Sequence, residues 1–455
     1  MLRQYLVVII ANLSVLTTGM STSWPSPMLV KLVTAGESPL SRSPTDEEVS
    51  WIVSLGFLIG IVSNIIGSTF LDIIGRKYCI LACSVPKLAM AIILIFSTEV
   101  WLVILARAVM VMGDCFVLVV VPIYTAEIAS KELRGALGVL LQGFSSLGIL
   151  ITLSVGPFVS YYTYSYIICG AIVVATMPLL FLPETPYYLI SKGKTDAALE
   201  TLTTLRHSET DAKIELEEYR KSIEEHVEID KKALFKDKTF LKALALCVLM
   251  CGGSQLVGYN AVSFYLQTIL ISAQTNIMPE IASVIISVIQ VVSCLSLTVL
   301  TSIFQRKRLL VSSLFGIFVG MMGLGTFFQV SGPDYEVTGF MNYLPIISLI
   351  LVVFCYSAGI GALLWPTATE LFEGPTRAFG TTFGLVFSLL TIFLTAKYFP
   401  IMTAAFGPAS TYWFFSVSCF IIGALITMYL PETKDKTFRE IQVSLGKKDD
   451  KKCPS

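Results

Sequence analysis

Stretches of about 20 apolar residues recur along the whole chain, and this recurrence limits the possible fold more than any other feature. A run of that length crosses a hydrocarbon core of about 30 Å. It can do so only as a helix, because lipid offers no partners for backbone N–H and C=O groups. The runs fall at about 5–24, 49–70, 79–98, 101–124, 137–157, 164–182, 241–270, 281–303, 309–330, 343–366, 380–400 and 409–430. The expected fold class is therefore an all-α membrane protein of about twelve transmembrane helices. Composition agrees, since only 14% of the 455 residues are charged, against about a quarter in a soluble domain. The 32 basic and 32 acidic residues balance, so no nucleic-acid partner is expected. The ten cysteines form no CxxC pair and only two histidines are present, so no metal site and no cofactor are expected. The first apolar run lacks a small-residue cleavage site and reads as a retained helix.

Charge sets the expected orientation. The segments after even-numbered helices carry Arg76 and Lys77, Lys131 and Arg134, a long Lys-rich stretch, Arg306 to Arg308, and Arg377. The alternate segments carry Glu37, Asp46, Glu47, Glu48, Glu99, Glu280, Asp334 and Glu336. Basic loops stay cytoplasmic, which places both termini there, with the plasma membrane as the default location. The one sizeable polar insert divides the spans six and six. The expected domains are an N-terminal bundle (1–183), a cytoplasmic helical linker (184–240), a C-terminal bundle (241–430) and a cytoplasmic tail (431–455).

The halves repeat one another. PIYTAEIASKELRGALG (122–138) follows helix four and WPTATELFEGPTRAFGTT (365–382) follows helix ten, each with a glutamate seven residues before an arginine. PETPYY (183–188) follows helix six and PETKDKT (431–437) follows helix twelve. Asp72, Gly75, Arg76 and Lys77 after helix two are echoed weakly by Gln305, Arg306 and Lys307 after helix eight. Paired six-helix repeats are a transporter architecture.

At these residues the chain resembles the sugar porter family of the major facilitator superfamily, particularly its insect facilitated trehalose transporters and animal facilitative glucose transporters. The resemblance spans nearly the whole chain. It rests on GSTFLDIIGRK (67–77), ELRG (132–135), PETP (183–186) and PET (431–433), with Arg107, Gln142, SQLVGYNAVSFY (254–265), Gly361 and Trp365 inside the membrane. Departures concentrate in the second half. Ser254 stands where the family pairs two glutamines, and Gly361 to Trp365 lacks the family's two prolines. Ser357 replaces a common acid, Ser388 and Leu389 a frequent Asn-Trp pair, and Tyr187 the arginine of the PESPR motif. The resemblance implies a facilitative sugar transporter, not an enzyme, that works by alternating access in a lipid bilayer as a monomer.

Sugars present many hydroxyls and no charge, and each hydroxyl leaving water without a partner costs about 1–3 kcal/mol. Amide side chains donate and accept at once, and Gln142, Gln255, Asn260 and Gln290 fall mid-span. The resemblance places Gln142, Gln255, Asn260 and Trp365 on a central cavity, with Gln290 where the family often has asparagine. Trp365 offers a ring face and an N–H. The same amides could instead bond helix to helix. Gln255 and Asn260 lie five apart, about 140° from alignment on an ideal helix. Facing one ligand therefore predicts a break, which Gly252, Gly253 and Gly258 permit; close helix packing is the other use for these glycines.

Asp72, Arg76, Glu127, Arg134, Glu370 and Arg377 cluster at helix ends on one side. They are expected to form a cytoplasmic gate of Arg–carboxylate pairs between the bundles, the alternative being topology alone. Proton-coupled sugar porters carry an aspartate in helix one, where GMSTSWPSP (19–27) has no acid. That favours uniport of a hexose or of a disaccharide such as trehalose. Lys87 and Asp114 lie at comparable depth in helices three and four and are expected to form a buried ion pair. The alternatives are a proton-coupled symporter using Asp114, or a transporter-like sugar sensor with little flux.

Overall fold

A computed structural model describes residues 2–34, 36–130, 132–206, 208–224, 234–331, 339–372, 374, 376–434, 436 and 438–446. Lys131, Asp334, Glu336 and the last nine residues of the expected tail lie outside them. Eleven stretches of these residues are long and apolar enough to cross a membrane. The last, Thr376–Tyr429, holds two helices, Thr376–Phe406 and Pro408–Tyr429, so the helices long enough to span number twelve. The turn between them is Gly407, whose φ of +81° lies in the left-handed region that glycine adopts without strain. The spans in order are Leu2–Val33, Asp46–Ile74, Arg76–Phe96, Val100–Ile128, Arg134–Phe158, Tyr161–Leu179, Lys238–Phe264, Pro279–Ile303, Arg306–Val330, Leu344–Glu370 and the two just given. The second span starts on a capping box, in which Thr45 and Glu48 satisfy each other's backbone N–H groups.

The chain divides into two compact units, Met1–Val227 and Glu228–Ser455. The interspan helices Pro186–Ser191, Thr195–Arg206 and Glu209–Glu224 fold with the first unit, and Leu205 joins its core beside Val8 and Tyr124. Packing repeats between the units. In the first, span one lies on five, two on four, and three on both four and six. In the second, span seven lies on eleven, eight on ten, and nine on both ten and twelve. Helix pairs thus correspond after a shift of six, as the repeated motifs predict. Each unit buries its own apolar faces, with tyrosines such as Tyr124, Tyr161 and Tyr164 fully enclosed in the first.

Candidate functional site

The second unit builds a polar cluster around a broken helix. Span seven stops at Leu256 and resumes at Tyr259, with Gly258 between at φ +83°. A side chain at Gly258 would overlap the Phe415 ring and force the left-handed conformation on a residue that resists it. The break turns Asn260 back so that its Nδ2 donates to Gln255 Oε1. Gln255 Nε2 in turn donates to Ser254 Oγ and Ser388 Oγ, each at 3.1 Å. Gln255 is buried and Asn260 half-buried. Tyr356 stacks on Tyr259 with centroids 3.7 Å apart and planes 7° from parallel. Tyr259, Ser357 and Gln290 are all buried, with Gln290 on span eight. Span ten breaks at Gly359, between Leu344–Ser357 and Ile360–Glu370, and Trp365 beyond the break is 37% exposed. Gln142 is half-buried on span five, in the other unit.

Three residues gathered here, Ser254, Ser357 and Ser388, are positions where the sequence departs from its family. Small hydroxyls at two of these points, Ser254 and Ser388, occupy the donors of Gln255. Tyr356 had no sequence signal beyond its place in an apolar run, and Tyr259 signalled only as part of the SQLVGYNAVSFY match, yet the two rings stack on one another.

In the first unit Lys87 Nζ lies 2.5 Å from Asp114 Oδ1, with both side chains at most 3% exposed. Span one supplies the rest of the shell. Thr18 Oγ1 donates to Asp114 Oδ1 at 2.9 Å, and Lys87 Nζ donates to Thr17 and Thr18 hydroxyls at 3.3 Å. Asp114 Oδ2 is buried without a hydrogen-bond partner. Two turns along span four, Arg107 is also buried. It donates to the Ser21 hydroxyl and carbonyl at 3.2 and 3.0 Å, and its guanidinium lies 4.7 Å from the centre of the Trp24 ring. The geometry ties spans one, three and four together at mid-depth.

The charged residues at the span ends pair inside each unit. Arg76 reaches Glu127 at 3.2 Å and Asp72 at 3.3 Å, and its guanidinium lies 5.7 Å from the ring centres of both Tyr187 and Tyr188. Arg306 pairs with Glu370. Arg134 is exposed, and Arg377 is half-buried with a partner of its own. Glu184 and Glu432, from the two PET motifs, are caps. Glu184 accepts from the backbone N–H of Arg76 at 3.1 Å and of Lys77 at 3.2 Å, and Glu432 from Arg306 at 3.2 Å and Lys307 at 3.1 Å. Carboxylates belong at helix N-termini, where unpaired N–H groups and the dipole favour negative charge. Burial nevertheless pushes the Glu184 carboxyl above its ordinary pKa, against the hydrogen bonds from Thr185, Lys77 and Arg76. Arg306, Glu184 and Glu432 were missed as site residues. The signal for Arg306 was its echo of Arg76, and for the glutamates the recurrence of PET.

The chain matches the family described as "Sugar (and other) transporter" over residues 7–445. The facilitated trehalose transporter of Polypedilum vanderplanki is 30% identical over 450 residues, covering 96% of this chain and 87% of that protein. The facilitated trehalose transporter of Culex quinquefasciatus is 28% identical over 448 residues, covering 96% and 85%. Among solved structures, the inward-open xylose transporter XylE of E. coli superposes with a TM-score of 0.80 at 19% identity, covering 97% of this chain and 99% of that one. The proton:xylose symporter XylE bound to 6-bromo-6-deoxy-D-glucose gives 0.77 at 20% identity, covering 96% and 98%. At these identities the structures share the fold.

Proposed function

Since this chain belongs to the sugar (and other) transporter family of the major facilitator superfamily, we propose that it carries a hexose or a disaccharide such as trehalose across a membrane by facilitated diffusion and alternating access. The observation that carries the uniport reading is the Lys87–Asp114 pair. Span one has no acid, and the buried carboxylate of span four already faces an ammonium at 2.5 Å. A membrane-embedded acid is the ordinary proton carrier. One neutralised in this way holds helices together instead.

Gln255, Asn260, Gln290 and Trp365 are the groups assigned to the sugar in the second unit, and Gln142 in the first. Gln255 spends its donors on two serines and its acceptor on Asn260. An arriving sugar hydroxyl exchanges with a serine hydroxyl, one hydrogen bond for another. Such exchange has a small net free energy, about 1 kcal/mol per bond. A carrier needs this balance, because a substrate held too firmly is not released. The paired charges Asp72, Arg76 and Glu127, and Glu370 with Arg306, serve as gate elements together with Arg134 and Arg377. The Arg76–Asp72 pair has an exposed carboxylate and is worth about 0–1 kcal/mol, whereas the Arg76–Glu127 pair is largely buried and is the firmer element.

The unpartnered Asp114 Oδ2 favours one competitor, proton-coupled symport through Asp114. Uptake of labelled glucose, fructose, sucrose and trehalose into proteoliposomes, with and without a pH gradient, separates the two. Downhill flux of one of these sugars with no gradient is expected. Flux that requires a gradient and vanishes in Asp114→Asn would replace uniport with symport.

A further inference from the structure

The polar residues of span seven do not stop at Asn260. Beyond the break, the helix Tyr259–Phe264 passes into Leu266–Ser272 without losing register. The Tyr265 N–H donates to the Ala261 carbonyl at 3.1 Å and the Ile269 N–H to the Tyr265 carbonyl at 2.9 Å. At about 100° per residue, Asn260, Ser263 and Gln267 therefore share an arc of about 60°. Tyr265 lies on the other side, about 140° from Asn260. Its hydroxyl donates to the Ala396 carbonyl at 3.2 Å and its ring stacks on Phe399, so that side is the one packed on span eleven. Span eight, which carries Gln290, packs on Leu266–Ser272. Asn260 and Ser263 are half-buried, and Gln267 is 3% exposed. Gln267 has an interaction of its own, while its Oε1 takes no hydrogen bond. A buried amide oxygen in that state costs about 1–3 kcal/mol, which a donor arriving with a ligand recovers.

We propose that Gln267 reads the second ring of a disaccharide whose first ring is held at Gln255 and Asn260; the inference rests on the sugar-carrier reading above and narrows its substrate class. Seven residues of helix set Gln267 about 10 Å beyond Asn260. A single pyranose ring is too short to reach both amides, whereas two glycosidically linked rings reach them together. The stripe offers amides and a hydroxyl and carries no charge, which suits a neutral polyol whose hydroxyls both donate and accept. Gln267 Oε1 accepts from a hydroxyl of the second ring, and Ser263 stands between the two amides. Gln267 is thus a specificity residue: a monosaccharide at Gln255 and Asn260 gains nothing from it.

Uptake of labelled trehalose, sucrose and glucose into proteoliposomes, with and without a pH gradient, tests this in the full-length wild type, Gln267→Leu and Gln267→Asn. The wild type should show a KM for one of the disaccharides roughly tenfold below that for glucose, the scale of one or two hydrogen bonds. Gln267→Leu, which keeps the bulk and removes the amide, should raise the disaccharide KM to that of glucose and leave the glucose KM unchanged. Gln267→Asn, which returns the amide on a shorter stem, should recover part of the difference. A wild type that prefers glucose, or KM values in Gln267→Leu that rise together for both sugars or do not move, overturns the second-ring assignment and leaves the carrier reading standing. A wild type that moves none of the three sugars under either condition overturns both.

Discussion

Hydrogen-bond saturation is the feature that decides how single residues act. Gln255 donates twice and accepts once within its own unit, so it both binds and holds Asn260 in place. Gln255→Ala removes these bonds together and should raise KM for sugar roughly tenfold, the scale of one to three lost bonds. Surface expression should stay unchanged, because Ser254 keeps its bond to the Cys251 carbonyl and Asn260 is only half-buried. Uptake kinetics beside surface labelling check this, and an unaltered KM removes Gln255 from the site. Lys87 behaves differently because its partner cannot reach water. Lys87→Met leaves Asp114 charged and enclosed, at a cost of about 3–5 kcal/mol. Joint replacement as Lys87→Met with Asp114→Leu fills the space with apolar atoms and should recover most of the folded yield. Size-exclusion profiles of the single and double variants show the difference; a double variant no better than the single would mean that the ion pair is not what couples the two positions.

Helix breaks and helix caps carry the argument at the level of elements. Gly258→Ala forces a side chain into the left-handed region and into the Phe415 ring; it should lower the thermal midpoint of the purified protein and raise KM together, by 1 kcal/mol or more, roughly. Glu184 poses a question of sign. Its folded pKa is raised, so the folded state takes up a proton more readily than the unfolded chain. Its contribution to stability is full at low pH and is lost as pH rises through the raised folded value. Relative to Glu184→Gln, wild-type stability should therefore decline as pH rises out of the acid range, and a parallel pH course for the two proteins would contradict this. The spans and their pairing by repeat were legible because apolar length and charge asymmetry act locally. The break near Gly258 was legible too, from the angular mismatch between Gln255 and Asn260. The break at Gly359 was not, since Gly361 nearby gave an equal signal. Nor were the carboxylate partners: Arg76 meets Glu127 across 51 residues and Glu184 across 108, and no local pattern encodes which acid reaches which base. The gate was expected from Asp72, Arg76, Glu127, Arg134, Glu370 and Arg377 as pairs between the bundles, yet Arg76 takes Asp72 and Glu127 within its own unit and Glu370 takes Arg306.

For the molecule as a whole, the repeated packing of two units bears on kinetics. A carrier that must return empty before loading again is limited by that return, whereas a loaded return is free to exchange label at once. Here the groups assigned to the sugar have partners of their own, because Ser254, Ser388 and Asn260 occupy the bonds of Gln255. A sugar hydroxyl that replaces one of these partners leaves the number of paired polar groups unchanged, so desolvation blocks neither loading nor release. Proteoliposomes preloaded with unlabelled trehalose or glucose, then diluted into a trace of label, should show a transient accumulation of label above equilibrium. The overshoot should persist with a protonophore present, since it draws only on the outward gradient of unlabelled sugar. A pore, open to both sides at once, produces no overshoot, and a sensor with little flux produces no accumulation. Net uptake into vesicles without preloading that requires an imposed proton gradient, and that is lost in Asp114→Asn, would instead tie each turnover to a proton carried by Asp114.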